Sequence, residues 1–286
     1  MEMKRMLKGL TRAGLCDVGD DKRFLELASK YGFQAVELDA AGLIESEGLD
    51  GARELLQHYG IAMGAIDLGL DWRNGEEDFR AGLEQLERRA KAAALLGGDT
   101  CTTYILPSTD HSPALLAVQA VNRLRQCADI IGEHGLKLAL EFVGPHHWRT
   151  AFRYPFIHTM EDTLALAAAI GRPNVGLLMD SYHWYTNGLT TADLEQLTAD
   201  QIVYVHLNDA KALPIEQVID HERLYPSEGV IDLSGFLSSL QKIGYTGIVA
   251  QEVLMPQDAD APATTEAAFE RSKAGFDRAF ATLQKV

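Results

Sequence analysis

The sequence predicts an α/β protein with a single domain over residues 1–286, built as a closed (β/α)8 barrel. Eight short apolar runs alternate with eight amphipathic segments, which is typical of a parallel sheet covered by helices. Eight is also the number of strands that closes such a barrel. An open α/β sheet is the alternative, and it is disfavoured because no glycine-rich dinucleotide-binding motif follows the first apolar run.

The strands are predicted from the apolar runs, most of which begin a few residues after a glycine. Such a glycine lies just beyond a helix and takes the left-handed conformation that ends it, so it separates that helix from the next strand. The six helix-ending glycines are Gly32, Gly60, Gly97, Gly135, Gly171 and Gly244. In chain order, the predicted strands are residues 9–15, 34–38, 62–67, 100–106, 137–142, 175–179, 202–207 and 248–253.

The helices are predicted from apolar positions that recur at the helical period between these strands. Several of them follow a side chain that can accept a hydrogen bond from an unpaired amide of the first turn. These residues are Asp20, Asp50, Ser112, Thr159, Asp232 and Thr264. In chain order, the predicted helices are residues 21–30, 51–58, 76–96, 113–133, 160–169, 191–197, 233–242 and 264–283.

Composition restricts the partners and the location that we expect. The net charge is −15 and the basic residues are dispersed, so the long-range field repels nucleic acid phosphates and anionic membranes. The odd set Cys16, Cys101 and Cys127 has no paired spacing, which disfavours a disulfide framework or a thiolate metal site. Since no apolar stretch approaches about 18 residues, the expected location is the cytoplasm. A homo-oligomer is left open.

Four consecutive predicted strands, the fifth to the eighth, end on a carboxylate or an imidazole. These residues are Glu141, Asp180, His206 and Glu252. In a barrel of this kind the site is assembled at the carboxyl ends of the strands, where an unpaired charge would cost several kcal/mol to desolvate. Each residue alone is explained by a hydrogen bond or an ion pair, but four at one rim favour a shared divalent cation. Three oxygen ligands and one imidazole suit manganese, magnesium, cobalt, iron or zinc.

Around these residues the sequence resembles the sugar phosphate isomerase/epimerase, or xylose isomerase-like, TIM barrels, and most of all the inosose (2-keto-myo-inositol) isomerases. The resemblance is best over about residues 137–257, while the first half matches mainly in the order of its elements. The matching motifs are LEFVG at 140–144, NVGL at 174–177, DSYH at 180–183, VHLND at 205–209, RLYP at 223–226, GVIDL at 229–233 and QEV at 251–253.

The resemblance implies one divalent metal ion bound by all four strand-end residues, with a polyhydroxy ketone as substrate. Glu141 and Glu252 would face each other across it as the catalytic pair, one as base and the other, or a polar neighbour, as acid. The metal would polarise the carbonyl and stabilise an enediolate. Because coordination lowers the basicity of a carboxylate, which glutamate acts as the base stays open.

Four further residues are predicted to contact the substrate. His183 lies three residues after Asp180, in an expected loop, and the alternative for it is a solvated histidine. Arg223 lies in the long segment after the seventh strand, where a guanidinium can hold an oxygen or make a structural ion pair. His146 and Trp148 follow the fifth strand and suit a polyol pocket.

Two carboxylates, Glu37 and Asp67, also lie near predicted strand ends and could touch substrate, but they are left outside the predicted site because barrel interiors often carry such groups.

The leading prediction of function is an isomerase or epimerase of a ketose or inosose. A 3-dehydroshikimate dehydratase-like lyase is the main rival, because it would begin with the same proton abstraction on a similar metal site. An apurinic endonuclease-like hydrolase would require several metals and a basic groove, which the net charge of −15 disfavours. A binding module without catalysis is the remaining alternative.

Overall fold

The computed structural model describes residues 5–73, 75–255 and 262–283, and eleven strands lie in this part of the chain. Nine of them form one parallel sheet, and the other two form a short antiparallel ribbon. The strands are β1 (Leu7–Leu10), β2 (Ala35–Val36), β3 (Ala62–Met63), β4 (Ile66–Asp67), β5 (Thr100–Ile105), β6 (Ser108–Thr109), β7 (Lys137–Phe142), β8 (Tyr154–Pro155), β9 (Val175–Asp180), β10 (Ile202–Leu207) and β11 (Ile248–Gln251).

The nine-stranded sheet closes on itself, which confirms the barrel and excludes the open sheet. Its order is β3-β2-β1-β11-β10-β9-β7-β5-β4. The two end strands, β3 and β4, are halves of the single predicted strand 62–67. Residue 62 pairs with β2 and residue 66 pairs with β5. This one segment therefore joins the two ends of the order and completes a ring of eight barrel strands.

The break in the third barrel strand has a steric cause at Gly64. Its amide donates to the carbonyl oxygen of Val36 at 2.7 Å. A Cβ at this position would lie 2.8 Å from the same oxygen and 3.0 Å from the Tyr204 hydroxyl. Only glycine allows the two backbones to approach this closely, and the strand bends here from one neighbour to the other.

Ten α-helices lie among the described residues, most of them in a layer outside the sheet. All six glycines predicted to end a helix have a positive φ, between 65° and 87°, as the left-handed terminating conformation requires. The helices are α1 (Asp21–Lys30), α2 (Ala40–Tyr59), α3 (Glu76–Leu95), α4 (Pro113–Glu133), α5 (His146–Arg149), α6 (Met160–Ile170), α7 (Ser181–Thr186), α8 (Thr191–Leu194), α9 (Leu233–Lys242) and α10 (Thr265–Phe280).

Several helix boundaries differ from the prediction. The helix expected at 51–58 is the second half of α2, whose first half is separated from it by a kink at Gly48, with φ 73° and ψ 164°. Asp50 therefore lies inside α2, and the prediction that it caps a helix was wrong. The helix expected at 191–197 is only the single turn α8, and a 3-10 turn at Ala199–Gln201 precedes β10. The short helices α5 and α7 were not predicted, because one turn carries no periodic pattern.

Two apolar layers stabilise the barrel. The larger one lies between the sheet and the helices, and it includes Leu138, Leu140, Leu177 and Val205. A small second cluster, which we call the inner cluster, consists of Ala65, Ala139, Leu178, Tyr204 and Ala250. Residues of the two layers alternate along each strand, as expected when one face meets the helices and the other faces the barrel interior. Within the described ranges, no helix has both the length and the apolarity to span a membrane.

Candidate metal centre

The four predicted ligands lie together on the inner face of the barrel. Each follows a residue of the inner cluster by two positions: Glu141 follows Ala139, Asp180 follows Leu178, His206 follows Tyr204 and Glu252 follows Ala250. Because side chains alternate faces along a strand, all four point to the interior, one layer closer to the carboxyl ends than the inner cluster. The pairing of β9 with β10 agrees with this placement, since His206 lies directly opposite Asp180 in the two strands.

One donor atom from each of these four residues lies within 4.8 Å of the other three. The imidazole Nδ1 of His206 is 3.4 Å from Glu252 Oε2, 3.7 Å from Glu141 Oε1 and 4.0 Å from Asp180 Oδ2. Ligands bound at about 2.0–2.2 Å are separated by at most about 4.4 Å across an ion. The observed spacing therefore needs a contraction of only a few tenths of an ångström to coordinate one cation.

The hydrogen bonding at this position also fits a cation. Glu141 Oε1 and His206 Nδ1 are both buried, and neither has a hydrogen-bond partner among the residues that the structure describes. Unpaired buried polar atoms are costly, and three carboxylates facing one imidazole nitrogen repel one another. A divalent ion would satisfy both atoms at once. The donor set of three carboxylates and one imidazole suits several divalent metals without selecting one.

Asp180 is the most tightly held of the three carboxylates. It is fully buried at the end of β9, and its Oδ1 accepts the Tyr182 amide at 2.6 Å, which caps α7. The Asn208 side chain donates to both of its oxygens at 3.2 and 3.0 Å. Its Oδ2 also accepts from Arg223 Nη1 at 2.9 Å. These donors fix the position of the carboxylate.

The two glutamates differ in protonation behaviour. Burial raises the pKa of Glu141, and the neighbouring Glu252 and Asp180 charges raise it further against the opposing effect of His206. Burial also acts to raise the pKa of Glu252, but His206, Arg223 and His183 outweigh it and hold this pKa well below its usual range. Two carboxylates with pKa values moved in opposite directions are typical of an acid–base pair.

Burial would lower the pKa of His206, yet the carboxylates of Glu252, Glu141 and Glu37 overcome this effect and raise it well above the ordinary value. In the metal-free chain a proton on Nδ1 therefore offsets part of the negative charge of the carboxylates around it, and a divalent cation would offset more of that charge.

Arg223 forms structural ion pairs, the alternative that the sequence left open, and it also faces the site. Its Nη1 is 2.9 Å from both Asp180 Oδ2 and Glu252 Oε2. Its Nη2 and Nε hold Asp220 Oδ1 at 2.8 and 3.2 Å. The Trp148 indole donates to the other Asp220 oxygen at 3.2 Å. Two of the predicted substrate contacts, Arg223 and Trp148, are thus joined through Asp220.

His183 does not lie in a loop, so that prediction was wrong, and the alternative of a solvated histidine is excluded. It lies on α7 and is 1% exposed, with its Nε2 3.8 Å from Glu141 Oε1. The Gly144 amide donates to its Nδ1 at 3.3 Å. Its Nε2 also lies 3.4 Å from Arg223 Nη2, so the buried ring sits between the guanidinium of Arg223 and the carboxylate of Glu141.

His146, the last of the four predicted substrate contacts, is more exposed than the other three. His146 is exposed on α5, in contrast to the half-buried Trp148 of the same short helix.

Asn208 and Asp220 were missed, although each had a detectable signal in the sequence. Asn208 lies two positions after His206 and so continues the inward face, and Asp220 lies three positions before Arg223, close enough for the opposite charges to meet across a turn.

Replacing Gly144 with alanine is expected to destabilise the protein by about 1–3 kcal/mol, because the space around this residue has no room for a side chain. The new Cβ would lie 2.7 Å from Asn187 Nδ2, 2.9 Å from the His183 carbonyl oxygen and closer still to Thr186 Oγ1. Denaturant unfolding measures the change.

Gly51→Ala is the matched control, since its Cβ meets only Glu47 Cβ, at 3.4 Å, inside α2. There alanine should stabilise the helix by about 0.5–1 kcal/mol. Equal effects of the two changes would contradict the packing described around Gly144.

Comparisons with known structures support this fold. The sequence model of the family described as xylose isomerase-like TIM barrel matches residues 25–274. The structure of a xylose isomerase domain protein from Alicyclobacillus acidocaldarius is 35% identical, with a TM-score of 0.89, over 97% of this chain and 99% of that one. A crystal structure of the IOLI protein with a binding zinc atom is 24% identical, with a TM-score of 0.82, over 98% of this chain and 100% of that one.

Curated relatives with this barrel differ in their reactions. The inosose isomerase of Bacillus velezensis is 26% identical over 246 residues, covering 82% of this chain and 84% of that protein. The ketose 3-epimerase of Arthrobacter globiformis is 26% identical over 87% of this chain and 83% of that protein. The 3-dehydroshikimate dehydratase of Pseudomonas aeruginosa is 27% identical over 80% of this chain but only 35% of that protein.

Proposed function

Because the chain belongs to the xylose isomerase-like TIM barrel family, we propose that it is a divalent metal-dependent isomerase or epimerase of a polyhydroxy ketone, with inososes as the preferred substrates. Inososes are preferred in this proposal because the inosose isomerase of Bacillus velezensis aligns with this chain over most of both proteins. In this proposal residues 1–286 act as one domain on a small-molecule substrate in the cytoplasm, and nucleic acid and membranes are not partners, in keeping with the net charge of −15.

The observation that carries the proposal is the pair of glutamates around one candidate metal position. Glu141 Oε1 and Glu252 Oε2 lie 3.7 and 3.4 Å from His206 Nδ1. Both side chains remain partly open to the barrel mouth, with 12% and 22% of their surface exposed. A substrate entering from the mouth would therefore meet two carboxylates and the candidate metal at once.

The chain's residues suit the transfer of a proton from one carbon to another. A bound divalent ion supplies Lewis-acid polarisation of the substrate carbonyl. One glutamate oxygen takes the proton beside that carbonyl, and the other returns a proton to carbon, so that the composition of the substrate is unchanged. The Arg223 guanidinium and the His183 ring face this position, and they would hold the substrate oxygens on which negative charge develops.

The rival proposal is a lyase of the dehydroshikimate dehydratase type, because one of the curated relatives is a 3-dehydroshikimate dehydratase. Both reactions start when a carboxylate removes a proton beside a carbonyl. They differ in the next step, because a dehydratase expels a β-hydroxyl where an isomerase reprotonates carbon. A direct assay of product therefore separates them.

The decisive experiment incubates metal-loaded protein with inososes, ketohexoses and 3-dehydroshikimate in deuterated water, and follows the products by NMR. We expect an isomerised polyhydroxy ketone whose composition is conserved apart from deuterium at the reprotonated carbon. Incorporation is partial where a shielded carboxylate carries the same proton across. Metal-depleted protein is the control. Clean loss of water from dehydroshikimate, with inososes and ketohexoses untouched, would replace this proposal with the lyase.

A further inference from the structure

The structure separates two carboxylates that the sequence treats alike, Glu37 and Asp67. The carboxylate of Glu37 reaches the site, where its Oε1 is 3.1 Å from His206 Nε2. The side chain of Asp67 is 75% exposed and pairs instead with Arg89 on α3 at 2.9 Å. Glu37 therefore contacts a candidate metal ligand, whereas Asp67 is a surface ion pair.

We propose that Glu37 is a positioning residue, which holds the His206 ring so that Nδ1 faces the carboxylates of Glu141, Asp180 and Glu252 and can bind a divalent cation. The inference rests on the metal site of the proposed function and adds a residue outside the four ligands. An ionised carboxylate only accepts hydrogen bonds, so Nε2 must carry the proton. In the neutral ring the lone pair is then left on Nδ1, which lies 3.4–4.0 Å from the other three ligands.

The surroundings of His206 explain why one hydrogen bond decides its orientation. The ring packs edge-on against Tyr204, with the centroids 5.6 Å apart and the planes at 82°, and this ring contact is not a hydrogen bond to either nitrogen. The Nδ1 atom has no hydrogen-bond partner within the described part of the chain. Among the described residues, the Nε2–Glu37 bond is thus the hydrogen bond that selects a tautomer. Glu37 is itself anchored, because its amide donates to Leu10 of β1 at 2.9 Å.

The test compares Glu37→Leu and Glu37→Gln with Asp67→Asn as the matched control. Titration calorimetry with zinc or manganese measures metal affinity. We expect Glu37→Leu to weaken binding by about 10–100-fold, the usual effect of removing a partner of a metal-bound histidine. Glu37→Gln should cause a smaller loss, since the amide oxygen still accepts from Nε2. Asp67→Asn should bind as the wild type does.

A second readout follows the proton on Nε2 directly. In zinc-loaded protein labelled with ¹⁵N-histidine, the Nε2–H of His206 should give a downfield proton resonance that is protected from exchange in the wild type and lost in Glu37→Leu. Unchanged affinity together with a retained resonance in that variant would overturn the proposal. Where Glu37→Leu does not fold, Glu37→Gln decides, and wild-type affinity and an unchanged resonance there overturn it equally.

These measurements separate this inference from the proposed function, because neither depends on turnover. A protein that binds metal more weakly without Glu37 but isomerises no polyhydroxy ketone supports the positioning role and refutes the reaction. If the wild type isomerises inososes and Glu37→Leu binds metal as tightly as the wild type, the reaction is supported and the positioning role is refuted. A wild type that binds no divalent cation overturns both.

Discussion

Replacing Glu252 with glutamine is expected to lower the turnover of a polyhydroxy ketone by about 10²–10⁴-fold, the range for removing a general acid or base. Glutamine has nearly the same shape but cannot carry the proton. The backbone of residue 252 keeps its bonds to Leu207 and to the Asn208 side chain. The amide oxygen can still accept from Arg223, which also remains paired with Asp180 and Asp220. The fold and part of the metal affinity should therefore survive.

The same chemical change at Glu222 is the control. This carboxylate pairs with Lys211 at 2.8 Å and is 35% exposed, so Glu222→Gln should leave turnover within about twofold, as expected for a surface pair. Steady-state kinetics on both variants, with metal content measured in each, separates loss of proton transfer from loss of metal. Near-normal turnover in metal-loaded Glu252→Gln would remove this glutamate from the catalytic pair.

The barrel and the candidate ligands were predictable from the sequence because both follow from local periodicity. An apolar run that ends on a polar residue places that residue at the rim, and its spacing of two from a small or apolar neighbour places it inside. Ala139 before Glu141 and Ala250 before Glu252 are examples. The helix-ending glycines were equally predictable, since the left-handed conformation is a property of single residues.

What the sequence could not predict depends on contacts between distant segments. Glu37 and Asp67 have the same local setting, and only the closed barrel shows that Glu37 meets His206, 169 positions away. The bend at Gly64 depends on the approach of Val36 and Tyr204. The first half of α2 was missed for a local reason, because Gly48 interrupts its helical pattern.

Removal of the metal is the second change with a large expected effect. Exhaustive chelation should abolish turnover and lower the thermal midpoint, because an ion that binds only the folded state stabilises it by about 2.7 kcal/mol at a hundred times its dissociation constant. For a domain of this size, that corresponds to a shift of about 5–10 °C. Scanning calorimetry with and without a chelator measures it, and restored divalent metal should reverse it.

Asp180→Asn is the control for this experiment, since it removes one of the four candidate ligands while keeping the shape of the side chain. Its thermal midpoint should respond little to chelation, although the loss of the charge paired with Arg223 at 2.9 Å lowers its stability in both conditions. Active wild-type protein that contains no metal by elemental analysis would refute the proposed metal dependence.

The stabilisation by metal should also increase with pH, because the cation replaces a proton. In the metal-free chain the carboxylates of Glu252, Glu141 and Glu37 overcome the effect of burial and raise the pKa of His206 well above its ordinary value. A raised pKa stabilises the folded metal-free chain at low pH, and this contribution is lost as pH rises through the folded-state pKa. Metal binding expels the proton, so below that pKa the apparent affinity should rise by about tenfold per pH unit. The difference in midpoint between loaded and chelated protein should therefore widen from about pH 6 to 8. A difference that stays constant over this range would show that the cation does not displace the His206 proton.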